Sequence, residues 1–371
     1  MEKLTEIEFT GISVQDKAPR NLSNNASSIL IQEDDIETPY GNLHVAIQGD
    51  RSKLAILTFH DIGLNSTTCF QGFFNFIDMQ PILRHFCVYH VNAPGQEDAA
   101  LQLRPEQDAL GNPDSLGNSF LRNKWFTYPT MEQLGESIQS VVDFYKIKRF
   151  IGFGVGAGVN VLCRYALNHP EFVDSLVLVN GTADKAGWVE WGYQKLNSWY
   201  LWRGNMTTFT EDYLLWHWFG SKTQWENYDL TTVYKEYIKS VNPQNLSLFI
   251  EAYLARTSLG IERELDPVRR IGTKTLQCQT LLIVGDDSPH LDDVVELNGQ
   301  LDPEKTDFLK IQDCGGMPLE EQPGKVCEAF RLFLQGMGYV PTLRQKTSTV
   351  SQVQKNYQHQ LQDFKEMNTV C

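Results

Sequence analysis

One short glycine-rich segment has the layout of a catalytic turn but lacks the side chain that would react. Residues 152–158 read Gly-Phe-Gly-Val-Gly-Ala-Gly, between a strand-like run at 148–152 and a helix-like run at 159–167. A strand, a sharp glycine-flanked turn and a helix form the nucleophile elbow Gly-x-Ser-x-Gly, whose central serine attacks the substrate. Gly156 holds the central position here, and glycine has no oxygen, sulfur or carboxylate. The pattern therefore predicts the turn without its nucleophile.

The same glycines also match the fingerprint of a dinucleotide-binding turn. That fingerprint follows the first strand of a βαβ unit and needs an acidic residue at the end of the second strand, about 20 residues on. Here several strand-like runs come first, and Glu171 and Asp174 precede the next strand at 175–180 instead of ending it. We therefore favour the elbow and expect no cofactor, while a plain strand-to-helix turn without a functional origin stays open.

The other two positions of a hydrolase triad are also changed. In chain order the acid and then the histidine follow the nucleophile. Counting along the strand-like run at 280–285 and its exit turn places Ser288 in the acid position, although two aspartates precede it. The histidine position falls on Gly316, and no histidine occurs at 291–358. The sequence thus lacks the base that would activate a nucleophile.

His60 is the remaining candidate base, directly after the strand-like run at 54–59. Histidines in such loops are often partly buried and hydrogen-bonded, so a structural role is the simpler interpretation. The alternative is proton transfer without a nucleophile, with His60 paired to Asp61 or to a cap residue. A carboxylate of Asp61 near the oxyanion position would repel a developing oxyanion. A residual ligand pocket would be lined by His60, Asp61, Val155 and Gly156.

Alternating strands and helices must position these residues. This alternation predicts a mostly parallel sheet that is covered by helices on both faces. The predicted strands lie at 28–32, 43–48, 54–59, 86–91, 148–152, 175–180, 280–285 and 306–312. We predict a helical stretch at about 70–84, a long surface loop at 97–128 and a closing helix at about 323–336.

Residues 181–270 contain no convincing strand and hold seven of the eight tryptophans. We interpret this segment as a helical cap inserted between two strands, and we expect the tryptophans to form its core and its seat on the sheet. The remaining divisions are a flexible leader at 1–27, a core at 28–180 and 271–340, and a disordered tail at 341–371. Ser348 and Thr349 are candidate phosphorylation sites in that tail, although an ordinary solvated tail is the simpler interpretation.

Composition excludes several classes of protein. A net charge of −14 opposes nucleic-acid binding, which needs clustered lysine and arginine. Seven scattered cysteines without a CxxC pair are typical of reduced thiols and predict neither a disulfide framework nor a metal site. The sequence shows no signal peptide and no transmembrane segment, so we expect a cytoplasmic protein, with peripheral membrane association left open.

Six motifs together resemble one known family. They lie at Thr58–Asn65, Val91–Gln96, Gly152–Gly158, Val284–Pro289, Asp313–Pro318 and Gln335–Tyr339. Over about 30–340 the chain resembles the N-myc downstream-regulated (NDRG) family, which has the α/β-hydrolase fold. The resemblance implies an eight-stranded, mostly parallel sheet flanked by helices, with an inserted helical cap. It also implies a non-enzymatic cytoplasmic protein that is linked to signalling, differentiation and stress responses.

We therefore expect a pseudoenzyme that acts as a signalling or adaptor protein through protein or ligand binding. Two alternatives are a lyase-like enzyme with His60 as its base and a small-molecule sensor that uses the residual pocket. An open pocket lined by Val155, Gly156 and cap aromatics would favour the alternatives. A pocket filled by large side chains would favour the adaptor, whose partners we expect to be other proteins.

Overall fold

A computed structural model describes residues 31–103, 127–266, 268–269 and 272–340. The predicted leader, most of the predicted surface loop and the predicted tail, with Ser348 and Thr349, lie outside these residues.

Eight strands form a single sheet in the spatial order β1-β2-β4-β3-β5-β6-β7-β8. β1 and β2 form an antiparallel hairpin, β2 pairs antiparallel with β4, and all other neighbours are parallel. Every residue of β4 and β5 is buried, as expected for strands covered on both faces. This sheet confirms the predicted fold class. The strands are β1 Ile31–Thr38, β2 Gly41–Gly49, β3 Leu54–Phe59, β4 Phe86–Val91, β5 Phe150–Val155, β6 Val173–Val179, β7 Gln279–Gly285 and β8 Thr306–Ile311.

The helical stretch predicted at about 70–84 consists of several short helical pieces. They are a π-helical turn at Thr67–Gln71, α1 at Gly72–Phe74, a 3-10 turn at Ile77–Met79 and α2 at Gln80–Leu83. Phe76 breaks the path because its backbone is extended, with φ −57° and ψ 141°. Pro81 has no N–H to donate, so it fits the first turn of α2 but not the interior of one long helix.

Longer helices cover both faces of the sheet, and alternate residues of β5 show which helix lies on which face. The ring of Phe153 packs on Phe330 of the closing helix, with centroids 5.6 Å apart. Gly152, which points the other way, lies against Leu162 of the helix that follows the elbow. The remaining helices of the sheet domain are α3 Met131–Tyr145, α4 Ala157–Asn168, α9 Leu291–Gln300, α10 Pro318–Glu321 and α11 Pro323–Gly336.

In the part of the chain that the structure describes, four helices lie between β6 and β7: α5 Trp188–Trp202, α6 Thr208–Glu226, α7 Tyr228–Ile238 and α8 Pro243–Leu254. We call them the cap. α6 is kinked at Gly220, whose φ is +72°. The cap's interior is built from residues such as Leu201, Leu246 and Phe249, which are fully buried.

The prediction that the tryptophans form the cap core is wrong for four of the five whose side chains the structure describes. Trp199, Trp202, Trp216 and Trp225 are 46%, 51%, 44% and 89% exposed. α5 and α6 carry aromatic residues around their circumference, and a packed helix buries only one face. Trp218 is the exception. It is buried, and its indole N–H donates to the carbonyl of Ile62 at 2.9 Å, which seats the cap on the loop after β3.

Candidate functional site

The turn at Gly156 has a backbone conformation that favours glycine. It connects β5 directly to α4, with φ +53° and ψ −112° at Gly156. A Cβ atom at positive φ clashes with the backbone, and glycine avoids that cost. Two residues later, a Cβ atom on Gly158 would lie 1.9 Å from the carbonyl oxygen of Phe59. The second glycine therefore lets α4 approach the end of β3 closely, as a nucleophile elbow requires.

The side chain of Asp61 lies beside the elbow, at the amides that correspond to the oxyanion hole of a hydrolase. Its Oδ1 accepts hydrogen bonds from the amides of Ala157, at 2.8 Å, and Ile62, at 2.7 Å. In α/β-hydrolases the amide after the nucleophile and an amide from the loop after the third strand form the oxyanion hole. A Cβ atom on Gly156 would lie 2.0 Å from Cγ of Asp61. The carboxylate thus occupies both the oxyanion position and the space beside the elbow.

A cap histidine completes this arrangement. Nε2 of His217, on α6, lies 2.9 Å from Oδ2 of Asp61, and both side chains are buried. His290 donates from Nε2 to the carbonyl of His217 at 2.9 Å, and the two rings are 4.6 Å apart. Burial alone would raise the pKa of Asp61, but the charge and hydrogen bond of His217 and the amide of Ala157 hold it below its usual value. Asp61 is therefore a buried anion held between core and cap.

Both ring nitrogens of His60 form hydrogen bonds to the backbone. Its Nδ1 donates to the carbonyl of Asp61 at 2.8 Å, and its Nε2 accepts from the amide of Ala93 at 2.9 Å. The ring is fully buried, and burial lowers its pKa to about 4. Both nitrogens are engaged and the ring is neutral at pH 7. The geometry gives His60 no lone pair with which to take a proton from a substrate.

The positions predicted for the acid and the base of a triad meet around Asn180. The hydroxyl of Ser288 lies 3.3 Å from Oδ1 of Asn180, and the Asn180 amide donates to the carbonyl of Gly316. A Cβ atom on Gly316 would lie 2.3 Å from the carbonyl oxygen of Trp218, so the cap backbone leaves no room there for a histidine. The structure therefore brings Ser288 and Gly316 together at Asn180, and Gly156 borders the same space as Asn180.

A cavity of about 770 Å³ lies beside the elbow, beneath the cap. Gly156, Asn180, His217 and His290 contribute to its lining, together with aromatic side chains of the cap. Of the four residues predicted to line a pocket, only Gly156 borders this cavity. Asp61 and Val155 border a void of about 10 Å³, and His60 borders neither space because it is packed beneath the loop.

Sequence reasoning did not identify His217, His290 or Asn180 as site residues. His217 is 156 positions from Asp61 and lies within a run of aromatic residues, so nothing local marks it. Asn180 was interpreted as the end of a strand. Its φ of +54°, uncommon for a residue other than glycine, marks it as special only once the backbone is known.

Within the described ranges, no group of three or more His, Cys, Asp or Glu side chains is arranged to hold a metal ion. Nor does any helix there have the length and apolar character needed to cross a membrane.

Solved structures share the fold. A thermophilic esterase from Thermogutta terrifontis superposes with a TM-score of 0.62 at 17% identity, over 82% of this chain and 98% of the esterase. An enol-lactonase from Burkholderia xenovorans superposes with a TM-score of 0.59 at 15% identity, over 79% and 96% of the two chains. At such identities the likeness establishes the α/β-hydrolase fold alone.

Sequence relatives are much closer. NDRG1 of Xenopus tropicalis is 39% identical over 342 residues, which are 90% of this chain and 79% of NDRG1. NDRG4 of the same species is 42% identical over 323 residues, or 86% of this chain and 73% of NDRG4. The model of the Ndr family matches residues 33–341. The chain belongs to the Ndr family.

Proposed function

We propose that this protein is a non-enzymatic α/β-hydrolase-fold protein that acts by binding. The observation that carries the proposal is the position of Asp61. Its carboxylate accepts hydrogen bonds from the backbone N–H groups of Ala157 and Ile62. In a hydrolase the corresponding N–H groups stabilise the tetrahedral intermediate. An oxyanion formed there would meet a fixed negative charge, whereas ester hydrolysis needs donors aimed at that point.

The missing reactive groups support the same proposal. Gly156 offers no nucleophile, and the alternative base His60 has both ring nitrogens engaged. Residues that act together in a triad lose nearly all of their effect when one member is removed. With Ser288 and Gly316 at the other two positions, we do not propose hydrolysis or a lyase reaction based on His60.

A second candidate, a small-molecule sensor, is favoured by the open cavity. Phe209, Tyr213, Trp216 and Tyr253 of the cap line it, and Gly156 lies at its border. A concave site of this size with aromatic walls and a few polar groups is typical of ligand-binding sites. We propose that the protein binds a small molecule in this cavity and does not react with it.

The biological setting is also a proposal. By the family resemblance we assign the protein to cytoplasmic signalling in differentiation or stress responses, as an adaptor for other proteins. Affinity purification of the wild-type chain and a Trp216→Ala variant from cells, with identification of co-purifying proteins, tests this role. A specific partner recovered with the wild type supports an adaptor, and its loss in the variant would connect the cavity to the partner.

Ester turnover tests the absence of catalysis. We expect purified protein to hydrolyse p-nitrophenyl acetate no faster than buffer with heat-denatured protein, and a serine-reactive phosphonate to leave residue 156 unlabelled. Turnover that is abolished by His217→Gln would contradict the proposal, because it would place a working base in the cavity.

A further inference from the structure

One face of one cap helix supplies five of the residues that line the cavity beneath the cap. Phe209, Asp212, Tyr213, Trp216 and His217 all line it from α6. Their spacing of three and four residues places them along one side of a helix. α6 therefore presents aromatic rings and a carboxylate together to the same space.

The aromatic wall is left in contact with solvent. Trp216 is 44% exposed and Phe209 is 37% exposed, although both border the cavity. Removing apolar surface from water is favourable. A ligand with an apolar body would gain from contact with these rings, which the cap itself does not cover.

Acidic side chains dominate the charge of the lining. Four carboxylates, Asp184, Asp212, Asp293 and Glu296, border the cavity. The two basic side chains of the lining that carry a full charge are Lys185 and Arg256. The guanidinium of Arg256 is already held in the wall.

Arg256 donates from Nε to the carbonyl of Asp184 at 2.9 Å and from a terminal nitrogen to the carbonyl of Tyr253 at 3.1 Å. Its Cζ also lies 3.9 Å from the centre of the Tyr253 ring. The lining therefore carries four carboxylates against two full positive charges.

Two of the acids also face one another. A hydrogen bond to Asp184, together with the charge of that carboxylate, raises the pKa of Glu296 above its usual value. Asp212 has no hydrogen-bond or ion-pair partner among the residues that the structure describes. A positive charge in the cavity would relieve the repulsion between Asp184 and Glu296 and would give Asp212 an ion-pair partner.

We propose that this cavity binds a small organic cation that carries an aromatic or aliphatic body, an inference that rests on the proposed binding function. The cation would lie over the faces of Trp216 and Tyr213, with carboxylates around it. Cations bind aromatic faces through the ring quadrupole, most strongly to tryptophan. The same carboxylates disfavour an anion of equal size.

Three probes of matched shape and different charge test the inference. We would titrate phenylpropylammonium, phenylpropionamide and phenylpropionate into the full chain and measure heats of binding. The cation is expected to bind about tenfold more tightly than the neutral amide, and the anion most weakly. Equal binding of cation and amide, tighter binding of the anion, or no saturable binding of the cation would overturn the inference.

Matched variants separate the charge from the apolar wall. Trp216→Ala is expected to weaken binding of both the cation and the amide, and of the cation more, because it also removes the cation–π contact. Trp225→Ala, on the same helix but outside the lining, is its control. Asp212→Asn combined with Glu296→Gln is expected to weaken the cation about tenfold and leave the amide within about twofold.

Asp292→Asn, next to the lining on α9, is the control for the charge variants, and thermal unfolding of each variant checks that it is folded. If the charge variants do not affect cation binding, the inference fails. Neither result bears on ester turnover, so the proposed loss of catalysis stands or falls separately.

Discussion

Two neighbouring regions of the molecule share Gly156 but differ in how their space is filled. Around the elbow, the carboxylate of Asp61 takes both oxyanion-hole amides, and the backbone of Trp218 closes off Gly316. Beneath the cap, a cavity of about 770 Å³ stays open against aromatic rings. The comparison teaches that two regions sharing one glycine can differ this much: a side chain fills the space beside the elbow, while the space beneath the cap stays open.

Restoring the nucleophile should have the largest effect on the filled region. Gly156→Ser adds a Cβ atom 2.0 Å from Cγ of Asp61 at a residue with φ +53°. Backbone strain and overpacking each cost about 1–3 kcal/mol, so we expect a loss of about 4 kcal/mol in the free energy of unfolding. Denaturant midpoints measure this loss.

Gly299→Ser is the control, because nothing lies within 4 Å of its added Cβ. It should change stability by less than about 0.5 kcal/mol. In an Asp61→Gly background, Gly156→Ser should cost less than it does in the wild type, since the clashing side chain is gone. A Gly156→Ser variant as stable as the wild type would show that the carboxylate does not occupy this space.

Substitution of Trp218, which is buried near the elbow, and of Trp216, at the open cavity, compares the two regions. Trp218→Ala should cost about 3–5 kcal/mol, because it leaves a cavity and removes the hydrogen bond to Ile62. Trp216→Ala, at the open cavity, should cost less than about 1 kcal/mol. Urea unfolding of both variants measures the difference, and equal losses would mean that the cavity wall is packed.

Removing the charge of Asp61 should weaken the connection between core and cap. Asp61→Asn keeps the shape of the side chain but leaves His217 without its anionic partner. A hydrogen bond to a charged group contributes about 1.5–3 kcal/mol, and we expect a loss of this order in the free energy of unfolding. Hydrogen exchange of α6 amides should accelerate in this variant, and unchanged protection of α6 would count against the cap–core pair.

The neutral histidine of the filled region should make stability depend on pH. The pKa of His60 is about 4 in the folded protein and about 6.5 in a model peptide, so the unfolded chain takes up the proton first as pH falls. Stability should therefore decline from about pH 6.5 to about pH 4, by up to about 1.4 kcal/mol per pH unit for this residue.

His90 is buried in the same way, with a pKa of about 3, and adds to this decline. His60→Asn should make the free energy of unfolding depend less steeply on pH, by the contribution of one proton. Denaturant midpoints of the wild type and of His60→Asn would be compared between about pH 6.5 and about pH 4. Identical slopes would mean that His60 is protonated in the fold.

Local patterns predicted the elbow and the sheet, whereas contacts between distant residues could not be read from the sequence. Gly156 was predictable because strand, turn and helix adjoin within a few residues. The pairing of Asp61 with His217 was not, because 156 residues separate them and the docking of the cap decides it. The exposed Trp216 and the buried Trp218 are likewise indistinguishable until the rotation of α6 is known.

The central claim, that the Asp61 carboxylate is an internal anion in the oxyanion hole, is tested most directly by replacing it with an external one. Melting temperatures of the wild type and of Asp61→Gly would be measured in acetate and in chloride at equal ionic strength. We expect acetate to raise the melting temperature of Asp61→Gly by ligand binding to the freed amides of Ala157 and Ile62, and to leave the wild type unchanged. The same response to acetate in both proteins would contradict the account.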